Sequence, residues 1–362
     1  MDETTRLQDR IDELDQEIVQ LIKNRYENTK LLGRIKRLRG LDYRDPEREK
    51  IIVRKIERAA TSMSLDPKLV KPIFDQILSL SVQAQRDHTE ESAKKLDQTR
   101  ILIVGGTGGM GRVFARFASI QGGKVKLAGR EINKTRTAAK EIEVEPGTIL
   151  DAATSDIVIL SVPAGETVRV ATETASLMTP GSLLTDLSSV KTGISDRLAE
   201  KISKDVEYVS LHPLFGPSSD HLHGQTIIAV SYRAGQKWSK LARAFQSSGS
   251  KVIAMSATQH DRAMAYVQGL YHFAMISLGL GLNGMGGEPR TRSLRDTETG
   301  IVNLLDNWDT TIGIQQLNPF LPDIRQKFLQ VATNIAELRS TKQASSVKKR
   351  LASNVQKWSR KL

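Results

Sequence analysis

The chain of 362 residues is too long for one ordinary domain, and 39% apolar with 26% charged residues suits two or three folded units. It has no cysteine, which excludes disulfides, thiolate metal sites and cysteine nucleophiles. No apolar run approaches ~18–20 residues and the first residues are charged rather than signal-like, so a cytoplasmic protein without a membrane span is expected. Apart from His221 and His223, the histidines show no metal-ligand spacing, and no metal is expected. The net charge of +12 is unevenly spread: residues 1–98 carry about +1 and the remainder about +11. Bases are interleaved with acids and aromatic content is 5%, which gives no stacking platform for nucleic acid. Small polyanionic substrates account for the charge instead.

In chain order, residues 4–88 read as three helices. Leu7, Ile11, Leu14, Ile18 and Leu21 form a stripe at alternating spacings of four and three, continued by Arg25, Leu32 and Lys36, until Gly40 stops the pattern. Asp45-Pro46-Glu47 and Asp66-Pro67 each give a helix-start signal: a cap, then proline at the first helical position. Residues 1–90 are thus predicted as an all-α domain and the polar stretch 91–98 as a linker. Strands follow at Arg100–Gly105, Lys124–Ala128, Asp156–Val162, Ser182–Leu187, Glu207–Leu211, Thr226–Ser231 and Lys251–Met255, most of them separated by helical stretches. That alternation predicts an α/β doubly wound parallel sheet over residues 99–257. Residues 258–362 are predicted helical, broken by a Gly- and Arg-rich loop at Gly284–Arg295.

Two constellations carry chemistry. Arg25 and Lys36 lie 11 residues apart, about three turns at ~3.6 residues per turn, and share the face that the apolar stripe marks for burial. A buried cation needs an anion; the alternative is a bundle whose cations snorkel to solvent. Ser81 and Gln85 share a face of the third helix. The whole stretch Arg6–Arg86 resembles the all-helical chorismate mutases at Arg25, Lys36, Asp45, Arg48, Glu49, Ser81 and Gln85. The resemblance implies that the first helices of two subunits pair and that Arg25 grips a substrate carboxylate. It also implies that Lys36 and Gln85 face the breaking ether bond, that Glu49 holds the ring hydroxyl, and that Asp45, Arg48 and Ser81 position the rest. These residue types suit a Claisen rearrangement, which needs a folded dianion and cations near developing charge rather than a nucleophile. One family arginine, three residues before Ile11, is replaced by Gln8.

The second constellation begins with Gly106-Thr107-Gly108-Gly109-Met110-Gly111, a G-x-G-x-x-G between a strand and a helix, as in dinucleotide-binding Rossmann folds. The end of the second strand reads Lys126-Leu127-Ala128-Gly129-Arg130, without the acid that favours NAD, so NADP is expected through Arg130, with NAD as the alternative. Ser161-Val162-Pro163, Asp186–Lys191, His212-Pro213-Leu214-Phe215-Gly216-Pro217 and Gln259-His260-Asp261 resemble prephenate dehydrogenases along Arg100–Gln330. That likeness implies that His212 takes the proton of the substrate's C4 hydroxyl, that Ser189 bonds the hydroxyl or His212, and that His272 lies beside the site. It also makes the last helices a substrate and homodimerisation domain. His260 reads as a structural histidine at a helix start. The family's carboxylate-binding arginine falls on Gly313, leaving Arg262, Arg290, Arg292 and Arg295 as candidate substitutes. The expected activity is therefore a fused mutase and dehydrogenase of tyrosine biosynthesis. Two alternatives stay open: a helical half that only dimerises or regulates, and a substrate that is arogenate or 4-amino-4-deoxyprephenate.

Overall fold

The computed structural model describes residues 2–38, 46–90, 94–217, 219, 222, 224–286 and 289–359. Asp45, His221 and His223 lie outside these residues, as do the side chains of Gln85 and His88. Among the described residues, no helix is long and apolar enough to cross a membrane.

Three helices open the chain: α1 (Glu3–Leu38), α2 (Pro46–Ser62) and α3 (Pro67–Glu90). Both proline starts fall where a missing backbone N–H costs nothing. α3 packs on both α1 and α2. The first half of α1 is exposed: Ile11 is 56% and Ile18 52% exposed, and Leu7, Leu14 and Leu21 are exposed with them. The stripe expected to be buried is therefore open in a single chain. The expected linker also differs in part, because Leu96 is fully buried against the sheet domain and its N–H bonds the Gln121 carbonyl.

Among the described residues the sheet has eight strands: β1 (Arg100–Val104), β2 (Lys124–Ala128), β3 (Glu145–Pro146), β4 (Ile157–Leu160), β5 (Leu183–Asp186), β6 (Glu207–Pro213), β7 (Thr226–Arg233) and β8 (Lys251–Ala254). Their order is β3-β2-β1-β4-β5-β6-β7-β8. α4 (Gly109–Ile120), α5 (Ile132–Ile142), α6 (Ala164–Ala175), α7 (Ser195–Lys201) and α8 (Gln236–Ser247) cover its faces. Near-continuous apolar runs such as Ile101–Val104 and Ile157–Leu160 are buried on both sides, as a covered parallel sheet requires. One pair departs from the parallel expectation: β7 runs antiparallel to β6. Among the described residues no helix separates them, and a parallel return needs a long crossover. The sheet then resumes parallel at β8 through α8. Chain direction switches between β1 and β4, which opens a crevice at the carboxyl ends of the strands.

The rest is helical: α9 (Ala257–Met264), α10 (Tyr271–Gly281), α11 (Arg292–Asp306), α12 (Trp308–Leu317), α13 (Leu321–Ala336) and α14 (Thr341–Ser359). α9 begins with a reciprocal cap between Ser256 and Gln259 and runs into α10 through a widened π-turn, Ala265–Leu270. The predicted Gly- and Arg-rich loop is shorter than expected, since Arg292 and Arg295 already lie in the first turn of α11.

Candidate active site

A cleft of about 960 Å³ lies along the carboxyl edge of the sheet, closed on its far side by the last helices. Gly108, Gly109 and Met110 line it after β1, Ser161–Pro163 after β4 and Ser188–Val190 after β5. His212–Pro217 line it from the end of β6, and Gln268, His272 and Gly313 face them from the helices. The glycines act by close approach: a Cβ at Gly111 would come within 2.6 Å of the Gly105 carbonyl oxygen, and Gly105 itself has φ +79°. α4 starts at Gly108 without a side-chain cap, which leaves its first amides facing the cleft. This open, positively polarised turn is a cradle that fits a dinucleotide pyrophosphate. Beyond β2, Lys126 is engaged by Asp151 at 2.7 Å and Lys134 by Glu131 at 2.8 Å. Arg130 is exposed, with no carboxylate partner among the described residues.

His212 is the penultimate residue of β6, before Pro213, and is 2% exposed. Its Nδ1 lies 2.8 Å from His260 Nε2, and His260 Nδ1 lies 2.7 Å from Asp261 Oδ1. Asp261 also accepts the backbone N–H of Lys191 at 2.9 Å and of Thr192 at 2.6 Å. Burial opposes ionisation of Asp261, but these hydrogen bonds outweigh it and hold the carboxyl below its ordinary range. An ionised Asp261 only accepts, so His260 donates through Nδ1 and accepts through Nε2. His212 must then donate through Nδ1, which leaves its Nε2 lone pair turned to the cleft. The imidazole is prepared as a base by the direction of this chain. Burial, with His260 and Lys191 nearby, keeps His212 well below the ordinary histidine value.

Behind the pair sits Lys191, fully buried, its Nζ donating to Ser210 Oγ and the Leu211 carbonyl, each at 2.6 Å. Burial pushes its ammonium down to about 8 against the pull of Asp186 and Asp261. Asp186 is itself held by Tyr208 at 2.8 Å and by the Ser188 hydroxyl. Breaking such a buried charge set costs ~3–5 kcal/mol, so the walls behind His212 are rigid.

Several expectations need correction. Ser189 lines the cleft but makes no hydrogen bond to His212; Gln268 Nε2 approaches His212 Nε2 instead, at 3.5 Å. His260, read from sequence as structural, is the direct partner of His212. Its signal was the acid beside it, His260-Asp261, immediately after a capping Ser256 and Gln259. His272 faces the cleft with Nδ1 unpartnered, and burial lowers its pKa. None of the candidate substitute arginines lines the cleft: Arg262 stacks over Phe320 and Arg290 pairs with Glu298. Gly313 does line it, and a Cβ there would meet only Ala164, at 3.8 Å.

In the helical domain, Arg25 and Ser81 are brought together, the guanidinium donating to Ser81 Oγ. Ser81 in turn donates to the Ile77 carbonyl at 2.7 Å. Arg25 is half-buried with no carboxylate partner among the described residues, and burial lowers its pKa. Lys36 and Glu49 are half-buried and Arg48 is exposed.

Known proteins match both regions. The chorismate mutase type II family matches residues 7–86, and the nucleotide-binding domain of prephenate dehydrogenase matches residues 114–260. A probable arogenate/prephenate dehydrogenase of Methanocaldococcus jannaschii is 33% identical over 67% of this chain, which spans 57% of that protein's length. The T-protein of Enterobacter agglomerans is 30% identical over 77% of this chain and 71% of its own length. The A. aeolicus prephenate dehydrogenase, in complex with hydroxyphenyl propionate and NAD+, superposes with TM-score 0.56. That superposition covers 72% of this chain and 99% of that one at 20% identity, a likeness of fold. With a mutase region and a dehydrogenase region in one polypeptide, this chain belongs to the family of helical chorismate mutases fused to prephenate dehydrogenases.

Proposed function

We propose that the chain turns chorismate into prephenate in residues 1–90 and oxidises prephenate to 4-hydroxyphenylpyruvate in residues 99–362, with NADP as cofactor. The observation that carries the reading is the directed chain Asp261–His260–His212, which leaves one lone pair facing a cleft beside a dinucleotide cradle. His212 takes the proton of the C4 hydroxyl, and its neutral form prevails at pH 7 because burial lowers its pKa. His260 and Asp261 hold the ring in the accepting tautomer and stabilise the imidazolium that forms, as a carboxylate behind a histidine does elsewhere. The nicotinamide supplies the hydride acceptor. Ser161–Pro163 and Gly106–Gly111 hold the dinucleotide, and Arg130, exposed and unclaimed by an acid, meets the 2′-phosphate. Ser189 and His272 contact substrate from opposite walls.

In the helical domain, Arg25 takes a substrate carboxylate, while Lys36 and Gln85 stabilise charge on the ether oxygen as it breaks. Asp45, Arg48, Glu49 and Ser81 hold the ring. The exposed stripe of α1 is covered by a second copy, so the enzyme works as a homodimer. Light scattering at micromolar concentration is expected to give the dimer mass; a monomer with full mutase activity would remove this part. For the whole reading, purified protein is given chorismate and NADP while NADPH and the keto-acid product are followed. Both are expected to appear, with prephenate as the intermediate. NADPH formation from prephenate but not from chorismate would reduce the helical domain to a scaffold.

A further inference from the structure

Among the described residues, four side-chain polar atoms are buried without a partner, and two of them, Gln268 Oε1 and His272 Nδ1, belong to residues lining the cleft. Gln268 sits in the widened turn Ala265–Leu270, a helical irregularity of the kind that collects at functional sites. Its orientation is fixed by the hydrogen-bond chain beside it. Asp261 accepts from His260, His260 accepts from His212, and His212 Nε2 keeps a bare lone pair. Gln268 therefore turns its NH₂ to that lone pair, at 3.5 Å, and its carbonyl away. At that distance the contact is at the outer edge of hydrogen bonding. A ligand hydroxyl replaces it readily, donating to His212 while accepting from Gln268. A buried amide oxygen left without a partner costs ~1–3 kcal/mol, so this carboxamide is not held by a closed internal network and is available to a ligand.

We propose that Gln268 reads the substituent at ring C4, selecting a hydroxyl over an amino group by donating to the oxygen that His212 deprotonates. The assignment rests on the dehydrogenase reading above. In that reaction the O–H bond breaks and its proton passes to His212 Nε2. The C4–H pair leaves as hydride to the nicotinamide, and the C4–O bond becomes a carbonyl. The ring carboxylate departs as CO₂, its bonding pair completes the aromatic ring, and the phenolate oxygen recovers the proton. Negative charge grows on the C4 oxygen as the proton leaves and again as the ring aromatises, and the Gln268 N–H₂ meets it both times. A C4 ammonium presents only N–H donors to the same amide and no lone pair to accept from it. Accommodating them requires turning Oε1 inward, where it faces the His212 lone pair, acceptor against acceptor.

The test uses full-length Gln268→Met and Gln268→Glu with prephenate and with its 4-amino-4-deoxy analogue, following NADPH. Wild type is expected to favour prephenate. Gln268→Met should lose on the order of 10²-fold in kcat/KM for prephenate, chiefly in kcat, as when a single oxyanion donor is removed. The same change should cost the amino analogue much less. Gln268→Glu, an acceptor and an anion, should reverse the preference. Cofactor affinity and chorismate mutase activity report folding in the same samples, and Gln268→Asn, a shorter amide, replaces either variant that fails them. A purely structural Gln268 would lower both substrates equally, and an unchanged substrate ratio in correctly folded variants overturns the inference alone. A wild type that binds NADP but oxidises neither compound removes the dehydrogenase reading and this inference together.

Discussion

The helical and α/β halves differ in where their polar site groups find partners. In the α/β half, Asp186, Lys191, Asp261, His260 and His212 are all buried and joined by hydrogen bonds or close charges within one chain. In the helical half, Arg25 reaches a serine hydroxyl and no carboxylate among the described residues, and the long first helix leaves its apolar stripe exposed. A site built on strand ends inherits rigidity from the sheet. A site built on three helices of which one is 36 residues long has more apolar surface than its neighbours cover. The first site has its charges joined within one chain; the second leaves apolar surface open, which the proposed dimer covers.

The largest effect that bears on this contrast is expected at His212. His212→Asn should cut dehydrogenase turnover by ~10²–10⁴, the usual contribution of a positioned proton acceptor, while NADP affinity and mutase activity persist. Steady-state kinetics with prephenate beside a cofactor titration measure it. Near-normal turnover would leave the buried chain as mere structure and shift attention to Ser189 or His272. Next in size, Lys36→Ala should lower mutase turnover by on the order of 10²–10³, comparable to loss of one oxyanion donor, with prephenate oxidation intact. If Lys36→Ala also depresses prephenate oxidation, the two halves are coupled and the contrast between them is too sharp.

Much of this was legible in the sequence, and the failures share a cause. The Gly106–Gly111 turn, the two proline helix starts and seven of the eight strands stand out because their signals are local: period, glycine spacing, proline after a cap. β3 is only two residues long and ends in Pro146, too short for any period to register. The antiparallel β7 was readable in principle, since no helical pattern fills the gap between Pro213 and Thr226. The His212–His260 pair joins positions 48 apart, and neither the contact nor the burial of Lys191 leaves a trace in spacing. Gln268 was invisible because a widened helical turn has no sequence signature. The stripe on α1 was read correctly as apolar, but period alone does not say what covers it, and it is exposed in the single chain.

A smaller, graded effect follows from pH. Burial lowers the pKa of His212, of His260 (against the opposing pull of Asp261) and of His272 below the ordinary 6.5. The unfolded chain then binds more protons than the folded one once pH falls below ~6.5, so stability holds above that value and declines beneath it. The melting temperature of the α/β half is expected to drop between pH 6.5 and 5. The acidic limb of kcat/KM for prephenate should lie below pH 6.5 for the same reason. A limb at or above 7 would mean that Asp261 and His260 raise the basicity of His212 more than burial reduces it.

The smallest expected effect concerns Arg130. Of the basic side chains at the end of β2, Lys126 is taken by Asp151 and Lys134 by Glu131, so neither is free to meet a 2′-phosphate without losing an acid. Arg130 is exposed and has no such competitor among the described residues. An exposed guanidinium meeting phosphate gains less than a buried one because solvent screens it, so Arg130→Ala should raise the NADP KM by roughly tenfold, about 1.4 kcal/mol. The NAD KM should barely move, since NAD offers that side chain no phosphate at the ribose. Added salt should weaken NADP more than NAD in wild type, and the difference should shrink in the variant, because screening acts on the pair that was removed. Equal KM values for the two cofactors in wild type would show that the missing acid at the end of β2 carries no preference. The basic turn would then be a solvated surface, and the excess positive charge of this half would have to be explained by its substrates alone.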